Sequence, residues 1–495
     1  MVKRAPHTIL ILVVALLMLC ASSCTHETPV SSASSQTSLS SSSATEKTTM
    51  PQSNNSSDSS VDTSEAPDSE AVKVCSLFGD HMVLQRRASV PVFGTGTDGE
   101  TVTVQFNGQT LTTTVADGKW RVNLSAMEAD SNGKTMTITA GDGTVTEIED
   151  ILVGEVWLCS GQSNMEMSVA SLLRQQRNEL KEYAANPLVR TYFHTPTTSR
   201  KPLADVERFP WIISDGSSDV EGQSAYALGF AACLCKELNV PVGVVTMSHG
   251  GTQISMWLDT TAGSTDYNGM MAPITPFRFA GLLWYQGESD ASINSFYAKS
   301  FAYFCELYRR VFEFPDMPII AAQIANFENG TDTAGYPDMK CVQAKLMENN
   351  DNMYTVCAAD FGEKNNIHPN DKLPYACRAA ELALNKVYGI LSCPGISPSF
   401  ASASVSGKSV IVKFRNVSDK LVLTSGDSVA GLYVAGADGD FKECRAVITG
   451  KDEITVDCSG VSSPRQIHYQ YVAAGAPNLY DANGLPVFCF NEEIN

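Results

Sequence analysis

Basic residues are scarce in this sequence. Its 495 residues include 35 Lys and Arg against 54 Asp and Glu, which gives a formal charge of -19 at pH 7. Nucleic-acid binding normally needs a basic face, so this balance argues against DNA or RNA as a partner. The charge also provides no general attraction for acidic ligands, and an anionic substrate would have to be held by a local Arg or Lys.

Long apolar runs are also scarce. The run TILILVVALLMLC near the N-terminus follows the basic stretch MVKRAPH and is too short to span a bilayer comfortably. This pattern predicts a secretory signal. The small residues of ASSC before Cys24 resemble the lipobox of bacterial lipoproteins. We therefore expect residues 1–24 to be a lipoprotein-type signal peptide with lipidation at Cys24, the alternative being an ordinary signal peptide cut nearby.

Residues 25–71 lack large apolar side chains almost entirely and are rich in Ser and Thr. Such a segment cannot bury enough surface to fold and predicts a disordered tether. Anchor and tether together predict an extracellular protein held at the bacterial cell envelope, or a secreted one, that meets a membrane only through its lipid.

Paired cysteine spacing is absent, although the chain has 14 Cys. An exported chain would usually use them in disulfides. Most of them lie inside apolar runs, as Cys233, Cys235 and Cys377 do, which indicates small buried side chains and leaves their oxidation state open. Side chains at i and i+2 point apart on a helix, so Cys233 and Cys235 predict no metal site.

Two stretches have the alternating pattern of β structure. Residues 72–150 contain SVPVFG, TVTVQF and KWRVNL, with Asn-Gly and Asp-Gly pairs that mark hairpin turns. Residues 393–495 return to this pattern with SVIVKF, LVLTS and ITVDC. We expect an N-terminal β-sandwich domain and a C-terminal β domain, both small and without an internal repeat between them.

Residues 151–392 alternate apolar runs with helical stretches. The runs EVWLC, PVGVVTMS, FAGLLWY, MPIIAAQIA and MYTVCAAD are continuous rather than alternating. Continuous apolar strands with helices between them predict an α/β domain with a parallel sheet covered on both faces. Ligands of such sheets bind beyond the carboxyl ends of the strands, so the residues after each run are the candidates for a site.

Four runs end in polar or glycine-rich turns. The turns are Gly161-Gln162-Ser163-Asn164, His249-Gly250-Gly251-Thr252, Gln286-Gly287-Glu288-Ser289 and, after a longer loop, Ile367-His368-Pro369. A Ser hydroxyl needs a neighbouring base, usually His, to become a nucleophile. Backbone N–H groups of glycines and a side-chain amide can hold an oxyanion. Together the turns predict acyl-transfer chemistry.

These motifs carry a family resemblance. GQSNM, GGT, WYQGES and IHP, with SLFGDHMVLQR and DGKWRV before them and NLYDANGLPVFCF after them, resemble the sialate O-acetylesterase group of the SGNH hydrolases. The resemblance covers roughly residues 72–495. It implies an SGNH-type, flavodoxin-like three-layer parallel sheet domain flanked by two small all-β domains.

The resemblance also implies roles for individual residues. Ser163 would be the nucleophile and His368 its general base. The oxyanion would be held by the Ser163 N–H, an N–H of Gly250 or Gly251, and the Gln286 side chain. The implied reaction is removal of O-acetyl groups from sugars, with 9-O-acetyl sialate as the name substrate, and it needs no metal or organic cofactor.

The sequence departs from the family where many relatives carry an Asp shortly before the catalytic His. Asn365 and Asn366 occupy those positions. A neutral amide can fix a His tautomer but stabilises imidazolium less than a carboxylate does. We expect a Ser-His dyad with help from the backbone or from an Asn, or a third member supplied by Glu363; Asp360 is the other nearby carboxylate.

Five further residues are candidates for the substrate pocket: Asn164, His249, Trp257, Arg278 and Glu288. His249 stands where relatives often have Trp, and we expect it to form pocket wall rather than a second base. Arg278 could bind a sialate carboxylate, or could equally be a surface Arg at the entrance of a strand.

Two other functions remain open. Deacetylation of acetylxylan or another plant polysaccharide would use the same motifs, since the choice of sugar depends on loops. A non-catalytic carbohydrate-binding surface protein is the less favoured alternative, because both Ser163 and His368 are present. The sequence predicts neither the oligomeric state nor the acetyl position.

Overall fold

The centre of the protein is a mostly parallel sheet whose strands end on the residues singled out above. The computed structural model describes residues 71–259 and 264–495. All of them belong to one compact unit, residues 67–495. The predicted signal peptide, Cys24 and the tether as far as residue 70 lie outside the described residues. Within the described ranges, none of the helices is both long and apolar enough to cross a membrane.

The strands are numbered in chain order. They are β1 (Lys73–Val74), β2 (Val83–Gln85), β3 (Val90–Thr95), β4 (Thr101–Phe106), β5 (Gln109–Thr114), β6 (Lys119–Leu124), β7 (Asp130–Ala140), β8 (Val145–Gly161), β9 (Val189–His194), β10 (Trp211–Ile213), β11 (Val242–Ser248), β12 (Gly281–Tyr285), β13 (Ile319–Ala322), β14 (Met353–Val356), β15 (Ser399–Ser406), β16 (Ser409–Arg415), β17 (Leu421–Leu423), β18 (Leu432–Ala435), β19 (Phe441–Glu443), β20 (Ala446–Ile448), β21 (Glu453–Asp457), β22 (Gln466–Tyr469), β23 (Leu479–Asp481) and β24 (Phe490–Glu493).

The α-helices are α1 (Ser163–Glu166), α2 (Arg174–Tyr183), α3 (Ala225–Leu238), α4 (Tyr297–Val311), α5 (Tyr336–Lys345) and α6 (Lys372–Lys386). Short 3₁₀ or π turns lie at Val169–Ser171, Asp219–Gly222, Ile254–Trp257, Tyr267–Met271, Ala272–Ile274, Glu288–Phe296, Gly330–Thr333 and Leu346–Glu348.

The central sheet has the strand order β10-β9-β11-β8-β12-β13-β14. Its pairings are parallel except that of β10, which runs antiparallel to β9. Side chains of β12 alternate between the faces: Leu282 and Trp284 join one apolar core, and Leu283 and Tyr285 join the other. Helices α4 and α5 contribute to the first core, and α3 and α6 to the second. The mixed α/β architecture predicted from the continuous apolar runs is confirmed.

A disulfide joins the two helices of the second core. Cys233 of α3 and Cys377 of α6 are bonded across 144 residues of sequence, with their Cα atoms 5.5 Å apart. The sequence left the oxidation state of these two residues open, because helix packing brings together cysteines whose sequence spacing shows no pairing. Ten other cysteines of the described chain are free.

Further sheets are formed by the strands that precede and follow the central sheet in the described chain. Strands β1, β3 and β6 form one sheet, while β4, β5 and β7 join the long strand β8, which continues into the central sheet. The expected boundary at residue 150 therefore falls inside a continuous strand. Toward the C-terminus, β15-β16-β21-β20, β17-β23 and β19-β18-β22-β24 form separate sheets. The division into two flanking all-β domains stays a prediction.

Candidate active site

Ser163 lies on a sharp turn at the carboxyl end of β8. Gly161 ends the strand with φ +139°, and a Cβ placed there would lie 2.1 Å from the carbonyl oxygen of Tyr285 on β12. Only glycine fits this backbone and this close approach. The Gln162 N–H donates to the same carbonyl at 2.9 Å, and Ser163 then begins α1. This turn lets the chain leave the packed strand β8 and begin α1 with Ser163 at the helix N-terminus.

Ser163 contacts the predicted base. Its Oγ lies 2.8 Å from Nε2 of His368, which lies on the loop between β14 and α6. Burial lowers the pKa of His368, and the positive charge of Lys372 lowers it further. Both effects favour the neutral imidazole, the form that can accept a proton from a Ser hydroxyl.

Within the described chain, no carboxylate is hydrogen-bonded to the imidazole of His368 as the third member of a triad would be. No hydrogen bond joins Nδ1 of His368 to another residue of the described chain. Burial raises the pKa of Glu363, but hydrogen bonds outweigh it and lower that pKa, because the carboxylate accepts from the Asn370 N–H at 2.5 Å and from the Asn366 amide at 3.0 Å. Glu363 therefore stabilises the loop rather than the imidazole.

The neighbouring candidates take other roles. Asn366 Oδ1 accepts the backbone N–H of His368 at 3.0 Å, so this amide orients the main chain of His368. Asn365 is exposed. Asp360 forms a bidentate ion pair with Arg378, at 2.7 and 2.9 Å. The structure thus brings Ser163 and His368 together, with Glu363 and Asp360 bonded to other groups, and the Ser-His dyad stays a prediction.

The predicted oxyanion donors fall into two groups. Gly250 lies beside Ser163, since a Cβ on Gly250 would be 3.4 Å from the Ser163 Cβ. Its N–H donates to Oε2 of Glu166 at 2.5 Å. Gly251 follows in an exposed position with φ +75°.

Gln286 is not brought to Ser163. Its side-chain N–H groups donate to Asp290 Oδ2 at 2.5 Å and to the Thr252 carbonyl at 3.1 Å. The amide is buried, and both of its donors are used. A carboxylate four residues later holds the amide in this structure, so the place of Gln286 in the oxyanion hole stays a prediction.

Arg278 lies at the opposite edge of the sheet. It precedes the amino end of β12, whereas Ser163 follows the carboxyl end of the parallel neighbour β8. Its guanidinium stacks 3.7 Å above the ring of Phe314, and burial lowers its pKa. This placement agrees with the alternative interpretation of Arg278 as an Arg at the entrance of a strand, and its contact with a substrate carboxylate stays an untested prediction.

The other pocket candidates differ in exposure. Trp257 is fully buried, and its indole N–H donates to Thr252 Oγ1 at 3.0 Å. It therefore stabilises the loop that follows β11. His249 is one-third exposed, and its Nδ1 lies 2.6 Å from a carboxylate oxygen of Asp266, which is completely buried. Asn164 is also buried, and its side-chain amide donates to the Glu288 carboxylate at 2.6 Å.

An open cleft of about 400 Å³ surrounds the Ser163–His368 pair. The lining combines small, polar and apolar side chains with one carboxylate, that of Glu166. It consists of Ser163, Glu166, Met167, Ser168, Ser171, Phe193, Gly222 and His368. Sequence reasoning missed Glu166, although its position three residues after Ser163 places it on the same short helix. Phe193 had a weaker signal, as a residue at the end of β9. Elsewhere too in the described ranges, no cluster of three or more His, Cys, Asp or Glu residues could hold a metal ion.

Comparisons with known proteins identify relatives. A family model described as carbohydrate esterase, sialic acid-specific acetylesterase, matches residues 153–374. Human sialate O-acetylesterase is 30% identical over 280 residues, which cover 48% of this chain and 53% of the human protein. The mouse enzyme of the same name is 26% identical over 386 residues, covering 63% of this chain and 68% of the mouse protein. This chain thus spans about half the length of the human relative that it matches.

A solved structure is similar over most of the described chain. The carbohydrate acetylesterase from Xanthomonas citri superposes with a TM-score of 0.80 at 27% identity, over 85% of this chain and 99% of that one. The matched family segment, residues 153–374, contains both Ser163 and His368. The resemblance inferred from the motifs at the strand ends is confirmed by these similarities to sialate O-acetylesterases and to a carbohydrate acetylesterase.

Proposed function

We propose that this protein is a serine esterase that removes O-acetyl groups from carbohydrates. The observation that carries the proposal is the 2.8 Å contact between Ser163 Oγ and His368 Nε2 in an open cleft. A Ser hydroxyl bonded to a neutral imidazole at a solvent-accessible turn is the arrangement that nucleophilic acyl transfer needs.

The reaction follows from these two side chains. Ser163 Oγ attacks the acetyl carbonyl while His368 Nε2 takes the hydroxyl proton. The tetrahedral intermediate collapses, and the sugar oxygen leaves with that proton. Water then gives a proton to His368 and attacks the acetyl-enzyme, which releases acetate and restores the Ser163 hydroxyl. Each step is a proton transfer or an acyl transfer that balances without a cofactor.

The oxyanion is held by backbone donors. The N–H of Ser163 lies at the start of α1, where helical N–H groups have no partner within the helix. The N–H of Gly250 is the second donor, and the Glu166 carboxylate that now accepts from it has to move when substrate binds. Backbone N–H groups of this kind stabilise the oxyanion that forms during acyl transfer.

The sugar is the finer part of the proposal. The relatives named sialate O-acetylesterase favour a sialate, with the 9-O-acetyl group as first candidate. That acetyl group ends a glycerol side chain several bonds away from the sialate carboxylate, so a cation that binds the carboxylate need not line the cleft around Ser163. A neutral acetylated polysaccharide such as acetylxylan is the second candidate, because the described lining of the cleft has an acidic Glu166 and no Lys or Arg.

The test is acetate release by the full chain and by its Ser163→Ala variant. The substrates are 9-O-acetylated sialic acid, acetylated xylo-oligosaccharide and 4-nitrophenyl acetate, measured side by side. Release that depends on Ser163 supports the esterase, and the preferred sugar decides between the two candidates. If the folded wild type releases acetate from none of the three, the esterase proposal is wrong and the non-catalytic binding protein takes its place.

We also propose that lipidated Cys24 holds this esterase at the outer face of a bacterial envelope, with residues 25–71 as the tether. The basic stretch, apolar run and small residues before Cys24 support this proposal. Membrane fractionation of wild type and Cys24→Ser tests it. The wild type is expected in the membrane fraction and the variant in the soluble fraction, and equal partition of both would contradict a lipid anchor.

A further inference from the structure

A buried amide links a cation and an anion directly behind Ser163. Asn164, the residue after the nucleophile, is completely buried. Its Oδ1 accepts from Nζ of Lys372 at 2.5 Å, and its Nδ2 donates to Oε1 of Glu288 at 2.6 Å. The oxygen faces the ammonium group and the nitrogen faces the carboxylate, so both charges stabilise the same orientation of the amide.

The same amide reaches the loop of the base. Asn164 Nδ2 also donates to the carbonyl oxygen of Ile367 at 3.0 Å, and Ile367 directly precedes His368. Lys372 is the first residue of α6, and Glu288 follows β12. The Asn164 side chain therefore joins the segments that follow β8, β12 and β14. The segment after β8 carries Ser163, and the segment after β14 carries His368.

Lys372 is deeply buried for a charged side chain. It is 1% exposed, and its Nζ lies 5.7 Å from the ring centre of Tyr285. Burial lowers the pKa of Lys372 to about 7, against the opposing attraction of Glu288 and Glu363. Burial also raises the pKa of Glu288, whose Oε2 has no hydrogen-bond partner in the described chain. Proteins seldom bury such groups without a function for them.

The charge of Lys372 acts on the base of the dyad. After burial, Lys372 is the second cause that lowers the pKa of His368. The acidic groups on the surrounding elements are Glu166 in the cleft, Glu363 on the His368 loop, Asp371 before α6 and Glu288 after β12. None of them is hydrogen-bonded to the imidazole. The charge that lowers the pKa of this histidine is that of a lysine, the reverse of the charge that a triad carboxylate would supply.

We propose that the buried Lys372 ammonium, held by Asn164, is a positioning group that joins the turn of Ser163 to the loop of His368 and provides a positive charge within the dyad's hydrogen-bond network. This inference rests on the proposed function for its catalytic meaning. Its physical content, an effect of Lys372 on the protonation of His368, can be measured without turnover.

The experiment is an NMR titration of the His368 imidazole in the full chain, beside pH profiles of kcat/KM on 4-nitrophenyl acetate. The chain has seven His, so comparison with His368→Gln assigns the signal. The variant is Lys372→Met. A matched control is Lys340→Met, because Lys340 is equally buried and its Nζ also donates to an amide oxygen, that of Asn326 at 2.5 Å.

Removing the Lys372 charge makes imidazolium less unfavourable. We expect the titration midpoint of His368 and the acid limb of kcat/KM to move to higher pH in Lys372→Met. We also expect kcat/KM on the plateau to fall about 10-fold or more, because the dyad loses its alignment. In Lys340→Met the midpoint stays where it is, even if that variant is less stable. A loss of activity without the pH shift would indicate a merely structural lysine and would overturn the proposal.

Lys372→Gln covers the case in which the Met variant does not fold. Its amide can still donate to Asn164 but has no charge, so the midpoint must rise while the plateau loses less activity. An unchanged midpoint in this variant, or an equal shift in Lys340→Met, overturns the proposal. If the midpoint shifts as expected but the wild type hydrolyses no ester, the proposed function fails and the control of His368 by Lys372 stands.

Discussion

Two histidines lie at carboxyl ends of the central sheet, and each has half of a catalytic triad. His368 is 2.8 Å from Ser163 and has no carboxylate partner in the described chain. His249 is 2.6 Å from the buried carboxylate of Asp266 but is not bonded to a Ser hydroxyl. The comparison shows that a His-Asp pair near a nucleophile does not by itself identify the base. The contact with the nucleophile decides, and it selects the histidine without the acid.

The largest expected effect separates the two histidines. His368→Ala should lower kcat on 4-nitrophenyl acetate by at least about 10³-fold, because His368 Nε2 is the base within hydrogen-bond distance of Ser163 Oγ. His249→Ala should lower it less than about 10-fold, since its ring contacts Asp266 instead. Steady-state kinetics on both variants measure the difference. Losses of equal size would break the comparison and make His249 a second catalytic group.

Glu166 gives the next largest effect, and in the opposite direction. Its carboxylate accepts from the Gly250 N–H that the oxyanion needs, so Glu166→Ala should raise kcat/KM on 4-nitrophenyl acetate by up to about 10-fold. Glu182→Ala, at an exposed position of α2, is the control and should leave the value unchanged. A fall in kcat/KM would mean that Glu166 holds Gly250 in its productive orientation.

The pH profile tests the charge environment of His368. Burial and Lys372 lower the pKa of His368, and the base has to be neutral to act. The acid limb of wild-type kcat/KM should therefore have its midpoint below 6.5, the ordinary value for His. A midpoint above 6.5 would indicate a carboxylate close to the imidazole, as in a complete triad.

Asp266 should matter more for stability than for catalysis. It is completely buried and bonded to His249, so Asp266→Asn should lower the free energy of unfolding by about 1–3 kcal/mol. Denaturant unfolding measures this change, with activity recorded on the folded fraction. A stable variant that has lost its activity would assign Asp266 to the reaction.

The smallest expected effect concerns Arg278. Arg278→Met should leave KM for 9-O-acetylated sialic acid within about twofold, because Arg278 lies at the amino end of the sheet and stacks on Phe314. The ratio of KM values for sialate and xylo-oligosaccharide measures this. A selective rise in KM for the sialate would restore Arg278 as a contact of the substrate.

The parts of the site that the sequence predicts are those set by local pattern. Ser163, Gly250 and His368 follow directly from strands or motifs, and the parallel sheet brings them together. The same reasoning would have excluded Arg278, because it precedes its strand rather than following it.

The parts that could not be predicted depend on packing between distant segments. The Gln286 side chain donates to Asp290, and the Gln-Gly-Glu-Ser motif gives no sign of such a contact. Asp266, which directly precedes the turn Tyr267–Met271, contacts the His249 ring 17 residues earlier in the sequence. Lys372 becomes significant through an amide 208 residues away in sequence. Hydrogen bonds of this kind are set by tertiary packing, on which hydrophobic periodicity gives no information.

The most direct test of the account is the kcat of Glu363→Gln on 4-nitrophenyl acetate. Glu363 is the carboxylate of the His368 loop, and its oxygens accept from Asn366 and Asn370 rather than from the imidazole. A Ser163–His368 dyad predicts that the variant keeps its kcat within about 10-fold of wild type. A loss on the order of 10³-fold or more in a folded variant would show that Glu363 completes a triad, and would contradict the dyad.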